Sequence, residues 1–376
     1  MILTTCAACA APLAHTAPRC IRCQTRYCNQ TCQHDHWRRG HKQMCKKIHR
    51  GGNAEQYNAD KKYKEAVAKA VEKCADDTKG QTCYICTQAL HWKTKEGLVR
   101  GCACRGTAGF AHVSCLAEQA KILFAEAEEN NLDHKAKDDR WARWFSCSLC
   151  KQEYHSVVAC ALGWACWKTY VGRPEADAVR MAMGVLGSGL HVARYYADSL
   201  SVKEAELSML RRLGEQEEHI LVTQTNLAGT YHEIGRFEEA NRLLRDVYSG
   251  WLKLQGEEDE RTIQTANNYA NALVRLERFE EAKPLIRKQI RVARRVLGEG
   301  HRVTLKLRWL YGRALYGDVG ATLDDLREAV TTLQDTERIA RRVFGGAHST
   351  TGGLGRDLSK ARFNLSVRET PSPGNA

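Results

Sequence analysis

Apolar and polar positions follow a helical period through the second half of the chain. Leu227, Tyr231 and Ile234, then Leu243, Leu244, Val247, Leu252 and Leu254, fall at three- and four-residue steps, which gives each segment one apolar face. The pattern returns in register. Gly235-Arg236-Phe237-Glu238-Glu239-Ala240 recurs 42 residues on as Glu277-Arg278-Phe279-Glu280-Glu281-Ala282, and the same step carries Asn226 onto Asn268 and Gly256 onto Gly298. One step earlier, Arg194-Tyr195 and Gly214 mark an eroded copy, while Arg294-Arg295-Val296-Leu297-Gly298 returns 47 residues later as Arg341-Arg342-Val343-Phe344-Gly345. Each copy predicts a helical hairpin. A single hairpin cannot bury its apolar face, so about four copies over residues 178–366 should stack into a curved α-solenoid with a concave surface.

Upstream the pattern changes. Ala54 to Asp77 mixes charges with helix formers and reads as a charged helical linker within residues 51–79. Val157 to Trp167 is an eleven-residue apolar run, too short to span a membrane, which takes about 20 residues. Within residues 155–177 it predicts an apolar helix capping the solenoid, broken by Gly172-Arg173-Pro174. The tail at 367–376, with Pro371, Pro373 and Gly374, is expected to be disordered.

The 376 residues, 43% hydrophobic and 27% charged, suit a folded chain of several domains. The net charge of +13 concentrates from Arg38 to Lys73 and from Arg287 to Arg295. Asp60, Glu65 and Glu72 interleave with the first run, so these segments read as solvated helix faces and a nucleic-acid partner is not expected. Seventeen Cys with no secretory leader point to a reducing compartment, the cytoplasm or else the nucleus.

The Cys come in pairs. Cys6/Cys9 and Cys20/Cys23 leave two residues between thiols, so one tight turn can aim both at one ion; Cys28/Cys32 and His41/Cys45 leave three, one helical turn apart. Cys83/Cys86, Cys102/Cys104, His112/Cys115 and Cys147/Cys150 form a second set of four pairs. Sixteen donors suit about four closed zinc sites, structural rather than catalytic. Cys74, Cys160 and Cys166 are left over and read as inert.

The order of the first set, with Tyr27-Cys28, Cys32-Gln33, His36-Trp37, His41-Lys42 and Cys45, resembles the MYND-type zinc finger (residues 1–50). The resemblance implies that Cys6, Cys9, Cys28 and Cys32 hold one ion and Cys20, Cys23, His41 and Cys45 the other, leaving out His34 and His36. It also implies a protein-interaction module, often one for proline-containing peptides. Cys102-Ala103-Cys104-Arg105-Gly106-Thr107, His112-Val113-Ser114-Cys115-Leu116 and Phe145-Ser146-Cys147-Ser148-Leu149-Cys150-Lys151 resemble the RING-CH zinc finger (residues 80–154). That likeness assigns Cys83, Cys86, His112 and Cys115 to one ion and Cys102, Cys104, Cys147 and Cys150 to another. The fold class expected is therefore mainly α, with two small cross-brace zinc modules preceding the helical repeats.

RING-type ligases hold a ubiquitin-conjugating enzyme and its charged ubiquitin in reactive geometry without forming a covalent intermediate. By resemblance, Ile85 and Leu149 would contact the conjugating enzyme, and Lys151 would be the basic residue touching enzyme and ubiquitin. Gln119 departs from the family, in which active members usually place Trp; Trp141 or Trp144 could supply the missing aromatic. The repeats resemble the tetratricopeptide repeats of kinesin light chains, whose first-helix Asn residues hydrogen-bond an extended peptide. Asn226 and Asn268 match those positions and Leu310 takes the third. Together these imply a ubiquitin ligase that selects protein substrates through finger and repeats, or a non-catalytic adaptor with a degenerate RING-like module.

Overall fold

The computed structural model describes residues 5–14, 16–173 and 177–369. The Pro371/Pro373 tail and Pro174 lie outside the described residues. The chain divides into two compact units, Met1–Glu215 and Gln216–Ala376.

Among the described residues, the first unit carries both Cys-rich segments and eight α-helices. A short α1 (Gln30–His36) runs through a π-helical turn, Trp37–His41, into α2 (Lys42–Arg50). Helix α3 (Ala54–Cys74) follows, capped by the Asn53 side chain, which accepts from the Gln56 N–H. Although the sequence suggests a charged linker, α3 is a core element: Ala59, Tyr63, Val67, Ala70 and Cys74 form a buried stripe at three- and four-residue steps. The dense Lys and Glu positions on its other faces hide this stripe from a reading by composition.

Helix α4 (Val113–Glu129) begins directly after His112, and α5 (His134–Trp141) with a 3-10 turn at Ala142–Trp144 brings the chain back to Cys147. These elements account for the long gap between Cys115 and Cys147. Helix α6 (Ser156–Tyr170) contains the apolar run and packs on α3, on α4 and on α7 (Asp177–Val192), which pairs with α8 (Tyr196–Leu213). It does more than cap a stack. Being apolar on all sides, it is buried on all sides, with Leu162, Trp164, Cys166, Trp167 and Tyr170 inside one continuous core. An aromatic cluster joins its end to the Cys-rich segment: Phe124 to Trp141 at 4.7 Å between ring centroids, Trp141 to Tyr170 at 5.2 Å and Trp144 to Tyr170 at 5.9 Å.

The second unit is a succession of helices: α9 (Glu217–Glu233), α10 (Phe237–Gln255), α11 (Glu260–Arg275), α12 (Phe279–Val296), α13 (Arg302–Gly317), α14 (Leu323–Phe344) and α15 (Ser349–Glu369). Each packs on the next, and α11 also meets α13 as α13 meets α15, the arrangement expected of stacked hairpins. The sequence repeat becomes a repeated turn. Arg236 and Arg278 precede α10 and α12 with nearly equal backbone angles, and each guanidinium reaches a carboxylate three residues on, Glu239 at 2.9 Å and Glu281 at 2.6 Å. The small residues Ala240 and Ala282 are fully buried where successive helices meet. The later copy is longer because the turn before α14 has more residues and α14 itself extends to 22; its start is held by reciprocal bonds between Thr322 and Asp325.

Gly101, one residue before Cys102, lies against α6: a methyl there would stand 2.4 Å from Val158 Cβ, while Gly101 O accepts the His155 N–H at 2.8 Å. Gly101→Ala should therefore destabilise the first unit by about 1–3 kcal/mol through forced overpacking. Denaturant unfolding measures this, and an unchanged midpoint would refute the packing.

Candidate metal centres

Four loops present cysteines in one shared backbone geometry. In each, the N–H of the first Cys donates to a carbonyl five residues on (Cys6 to Ala11, Cys20 to Thr25, Cys83 to Gln88, Cys147 to Gln152), at 2.7–3.0 Å. The N–H four residues after that Cys donates back to its carbonyl, from Ala10, Gln24, Thr87 and Lys151. Those four residues share a left-handed backbone, φ 60–61°. The loop turns sharply enough to point both thiols of a Cys-x-x-Cys pair to one side. In the first segment the other donors lie on or next to helix: Cys28 just before the N-cap Asn29, Cys32 on α1, and His41/Cys45 at the junction with α2.

All sixteen sequence-selected donors converge into four groups: Cys6, Cys9, Cys28 and Cys32; Cys20, Cys23, His41 and Cys45; Cys83, Cys86, His112 and Cys115; Cys102, Cys104, Cys147 and Cys150. The pairs alternate along the chain, so each segment is cross-braced. Within each group the donor atoms lie within 4.8 Å of one another. Tetrahedral zinc with Zn–S near 2.3 Å requires thiol–thiol edges of about 3.8 Å, slightly shorter to an imidazole nitrogen. Several spacings agree: Cys20 to Cys45 and Cys104 to Cys147 at 3.8 Å, Cys32 to Cys9 at 3.9 Å, Cys23 Sγ to His41 Nε2 at 3.3 Å, and Cys86 Sγ to His112 Nδ1 at 3.4 Å, while Cys9 to Cys28 is tighter at 3.5 Å.

The electrostatics fit a cation. Burial opposes ionisation of Cys6, but the N–H groups of Cys9, Ala8 and Cys28 outweigh it and hold the thiol down at about 6. Its neighbour Cys28, hydrogen-bonded with Cys9, is pushed up to about 12, as is Cys45 by burial and then by Cys20. Four thiolates cannot share one small volume unaided; a divalent ion permits them all. Burial lowers the pKa of His41 and His112, favouring the neutral ring that a ligand requires. His112 Nε2 faces Ala89 O at 3.3 Å, which leaves Nδ1 for the ion.

Two supporting features escape a search by ligand spacing. His36, outside the ligand sets, stacks on His41 with centroids 4.7 Å apart and hydrogen-bonds to the Tyr27 hydroxyl at 3.0 Å. His91 to Lys95 repeats the knuckle geometry without cysteine: the His91 N–H donates to Glu96 O, the Lys95 N–H donates to His91 O, and Lys95 has φ 58°. Thr94 bonds His91 Nδ1 through both its N–H, at 3.1 Å, and its hydroxyl, at 2.8 Å, closing by hydrogen bonds what the other loops close around thiols. This turn packs the His91 ring on His112, 5.3 Å between centroids. Its only sequence signal is a His-x-x-Thr spacing, too common to stand out.

Ile85 and Leu149 are exposed on the tips of the Cys83/Cys86 and Cys147/Cys150 loops, which the Tyr84 and Ser148 hydroxyls join at 3.0 Å. Lys151 is exposed and occupies the left-handed position of its loop. Gln119 is half-buried on α4, whereas Trp141 and Trp144 are buried in the aromatic cluster and offer no outward face. Asn226 is exposed on α9; Asn268, on α11, is half-buried and accepts from Gln264 and Asn267. Leu310, the corresponding residue on α13, is buried. Burial pushes the Cys160 thiol up to about 12 and that of Cys166 well above its ordinary value, so both stay protonated. Cys74 is buried as well.

Family models match three parts of the chain: the MYND finger at residues 6–45, the RING-variant domain at 83–150, and the tetratricopeptide repeat at 220–259 and 262–302. These motifs and the four clusters point to zinc as the metal. Similar solved structures include BtubC (BKLC) from P. vanneervenii, 13% identical over 70% of this chain and 94% of that one, with a TM-score of 0.42. A putative kinesin light chain with nearly identical TPR-like repeats from Podosopora anserina is 16% identical over 62% of this chain and 98% of that one, also with a TM-score of 0.42. No curated protein matches the chain at a significant level.

Gly109 gives a direct test of one centre. With φ 85° it lies where a methyl would stand 2.6 Å from Cys104 Cβ and 3.2 Å from Cys102 Sγ. Gly109→Ala should weaken zinc at the Cys102/Cys104/Cys147/Cys150 cluster about tenfold or more while sparing the Cys6 and Cys20 clusters. Competition with a chromogenic chelator should show one class of ion released early; release identical to that of the native chain would refute the geometry.

Proposed function

We propose that the chain is a RING-type ubiquitin ligase that holds about four zinc ions as structural centres. The observation supporting this reading is the pair of clasped loops. Tyr84 and Ser148 tie the Cys83/Cys86 loop to the Cys147/Cys150 loop, and each presents an exposed aliphatic side chain at its tip, Ile85 and Leu149. A surface of this kind suits the apolar side chains of a ubiquitin-conjugating enzyme, with Lys151 beside it as a fixed cation. Catalysis would be by positioning: the loops orient the charged enzyme, and no group of this chain enters the reaction covalently.

In this reading the zinc ions hold the loops in place. The finger and the helical repeats bind substrates or partners, with Asn226 and Asn268 hydrogen-bonding an extended peptide. Among the described residues no helix is long and apolar enough to cross a membrane.

A second reading, a non-catalytic adaptor, draws on Gln119. A half-buried amide replaces the aromatic anchor there, and the buried Trp141 and Trp144 do not substitute for it. Losing such an anchor commonly costs about 2 kcal/mol, roughly thirtyfold in affinity.

Autoubiquitination with purified chain and a panel of conjugating enzymes separates the two. Ligase activity should fall about tenfold or more in Ile85→Ala and Leu149→Ala, with zinc content unchanged, and Lys151→Arg should retain more activity than Lys151→Ala. Binding of a conjugating enzyme without chain formation would establish the adaptor instead. For the repeats, Asn226→Ala with Asn268→Ala should weaken capture of an extended peptide by about 1–3 kcal/mol, measured by calorimetry; unchanged affinity would remove that surface.

A further inference from the structure

The net charge of the chain is unevenly placed. Residues 1–53 contain nine Lys and Arg against the single acid Asp35, a formal +8 out of +13. The structure also separates the basic runs that the sequence shows together. In the later run, Arg287 pairs with Glu328, Lys288 with Glu257, Arg294 with Glu299 and Arg295 with Glu258. On α3, Lys61 and Lys62 both reach Glu65, and Asp60 pairs with Lys168. In the finger, Arg19, Arg22, Arg38, Arg39, Lys42, Lys46, Lys47 and Arg50 are exposed, and Asp35 is the only carboxylate in their segment.

Most of these cations lie on two neighbouring elements. On α2, Lys42, Lys46 and Arg50 follow at four-residue steps with Lys47 beside them, opposite Cys45 and Ile48, which face the finger core. The Cys20/Cys23 loop, which contains Arg22 and follows Arg19, shares a metal cluster with Cys45 of α2. Filling both clusters of the finger leaves this field in place: seven thiolates against two divalent ions remove three charges from eight.

Apolar side chains stand within the same field. Ile21 is 95% exposed at the tip of the Cys20/Cys23 loop, and Trp37 and Met44 are each 40% exposed. A phosphate backbone has nothing to place on an isoleucine, whereas a peptide carrying both carboxylates and aliphatic side chains complements both features.

We infer that the basic face of the finger, formed by α2 and the Cys20/Cys23 loop, binds an acidic protein segment containing aliphatic anchors. This names a partner class for the finger and rests on the proposed protein-capturing role of that module; it does not require ligase activity.

The test is fluorescence anisotropy on the zinc-loaded full chain. The probes are a labelled sixteen-residue peptide alternating Glu and Leu and a single-stranded oligonucleotide of equal charge. The peptide should bind with an affinity that falls as salt rises. Lys42→Glu with Lys46→Glu and Arg50→Glu should weaken it more than tenfold, and Ile21→Ser several-fold, with zinc content unchanged. Arg294→Glu with Arg295→Glu, where the native cations are already paired, should leave peptide binding as it was. Tighter binding of the oligonucleotide would overturn the inference in favour of nucleic acid. Peptide binding that survives the triple reversal, or that is absent at low salt, would overturn it outright. Because no ubiquitin is transferred, a failed ligase assay does not affect the outcome.

Discussion

The first unit depends on bringing like-charged donors together. Four sulfur or imidazole atoms within 4.8 Å form a stable arrangement only if something positive joins them or if protons keep the thiols neutral. The raised thiol of Cys28 beside the lowered thiol of Cys6, and that of Cys45 beside the lowered thiol of Cys20, are the proton-held version of that compromise. A zinc ion replaces the protons with bonds, and its binding free energy becomes folding free energy. The finger needs this most, because among the described residues its core consists of little beyond the cysteines themselves, Tyr27 and the flanking Ala8, Leu13 and Ile48.

The RING-variant segment is placed differently. Its cysteines belong to a core that runs continuously into α3, α6 and α7, with Val99, Phe110, Trp144 and Tyr154 packed among them. Metal and apolar burial therefore support the same loops. The Cys83/Cys86 and Cys147/Cys150 turns are fixed from below by their clusters and from the side by the Tyr84 to Ser148 bond, while α4 is set by Ser114, whose N–H and hydroxyl donate to the Glu96 carboxylate and whose hydroxyl also bonds that of Tyr63. The proposed role of orienting another enzyme would need such rigidity, since misplacement by an ångström forfeits much of the gain from proximity.

Much of this was legible in the sequence for physical reasons that can be named. Ligand pairs are read from spacing because a tight turn or one helical turn fixes the distance between two donors. Repeats are read from register because RFEEA builds the same turn, bridged by its Arg and second Glu, at both of its occurrences. What escaped depends on tertiary context. The buried stripe of α3 lies under a charged composition, and the central position of α6 follows from neighbours on all its sides, which an eleven-residue apolar run does not specify. Trp141 and Trp144 could be proposed as exposed anchors only while their partners, Phe124 and Tyr170, were unknown. The Thr94-closed turn at His91 has no thiols, so a search by ligand type passes over it although its backbone matches the four cysteine loops.

Charge has a further part in the finger's stability. Eight exposed cations repel one another, and without matching carboxylates that repulsion opposes folding. When filled, the four-thiolate cluster carries net negative charge and the three-thiolate cluster a smaller one, and this anionic charge offsets part of the cations' repulsion. Most of the surface charge still remains after this offset. It is left to solvent and to whatever docks there, which explains how a small metal-held scaffold can carry a strongly biased surface where the helical repeats, without such a core, match nearly every basic side chain of the 287–295 run with an acid.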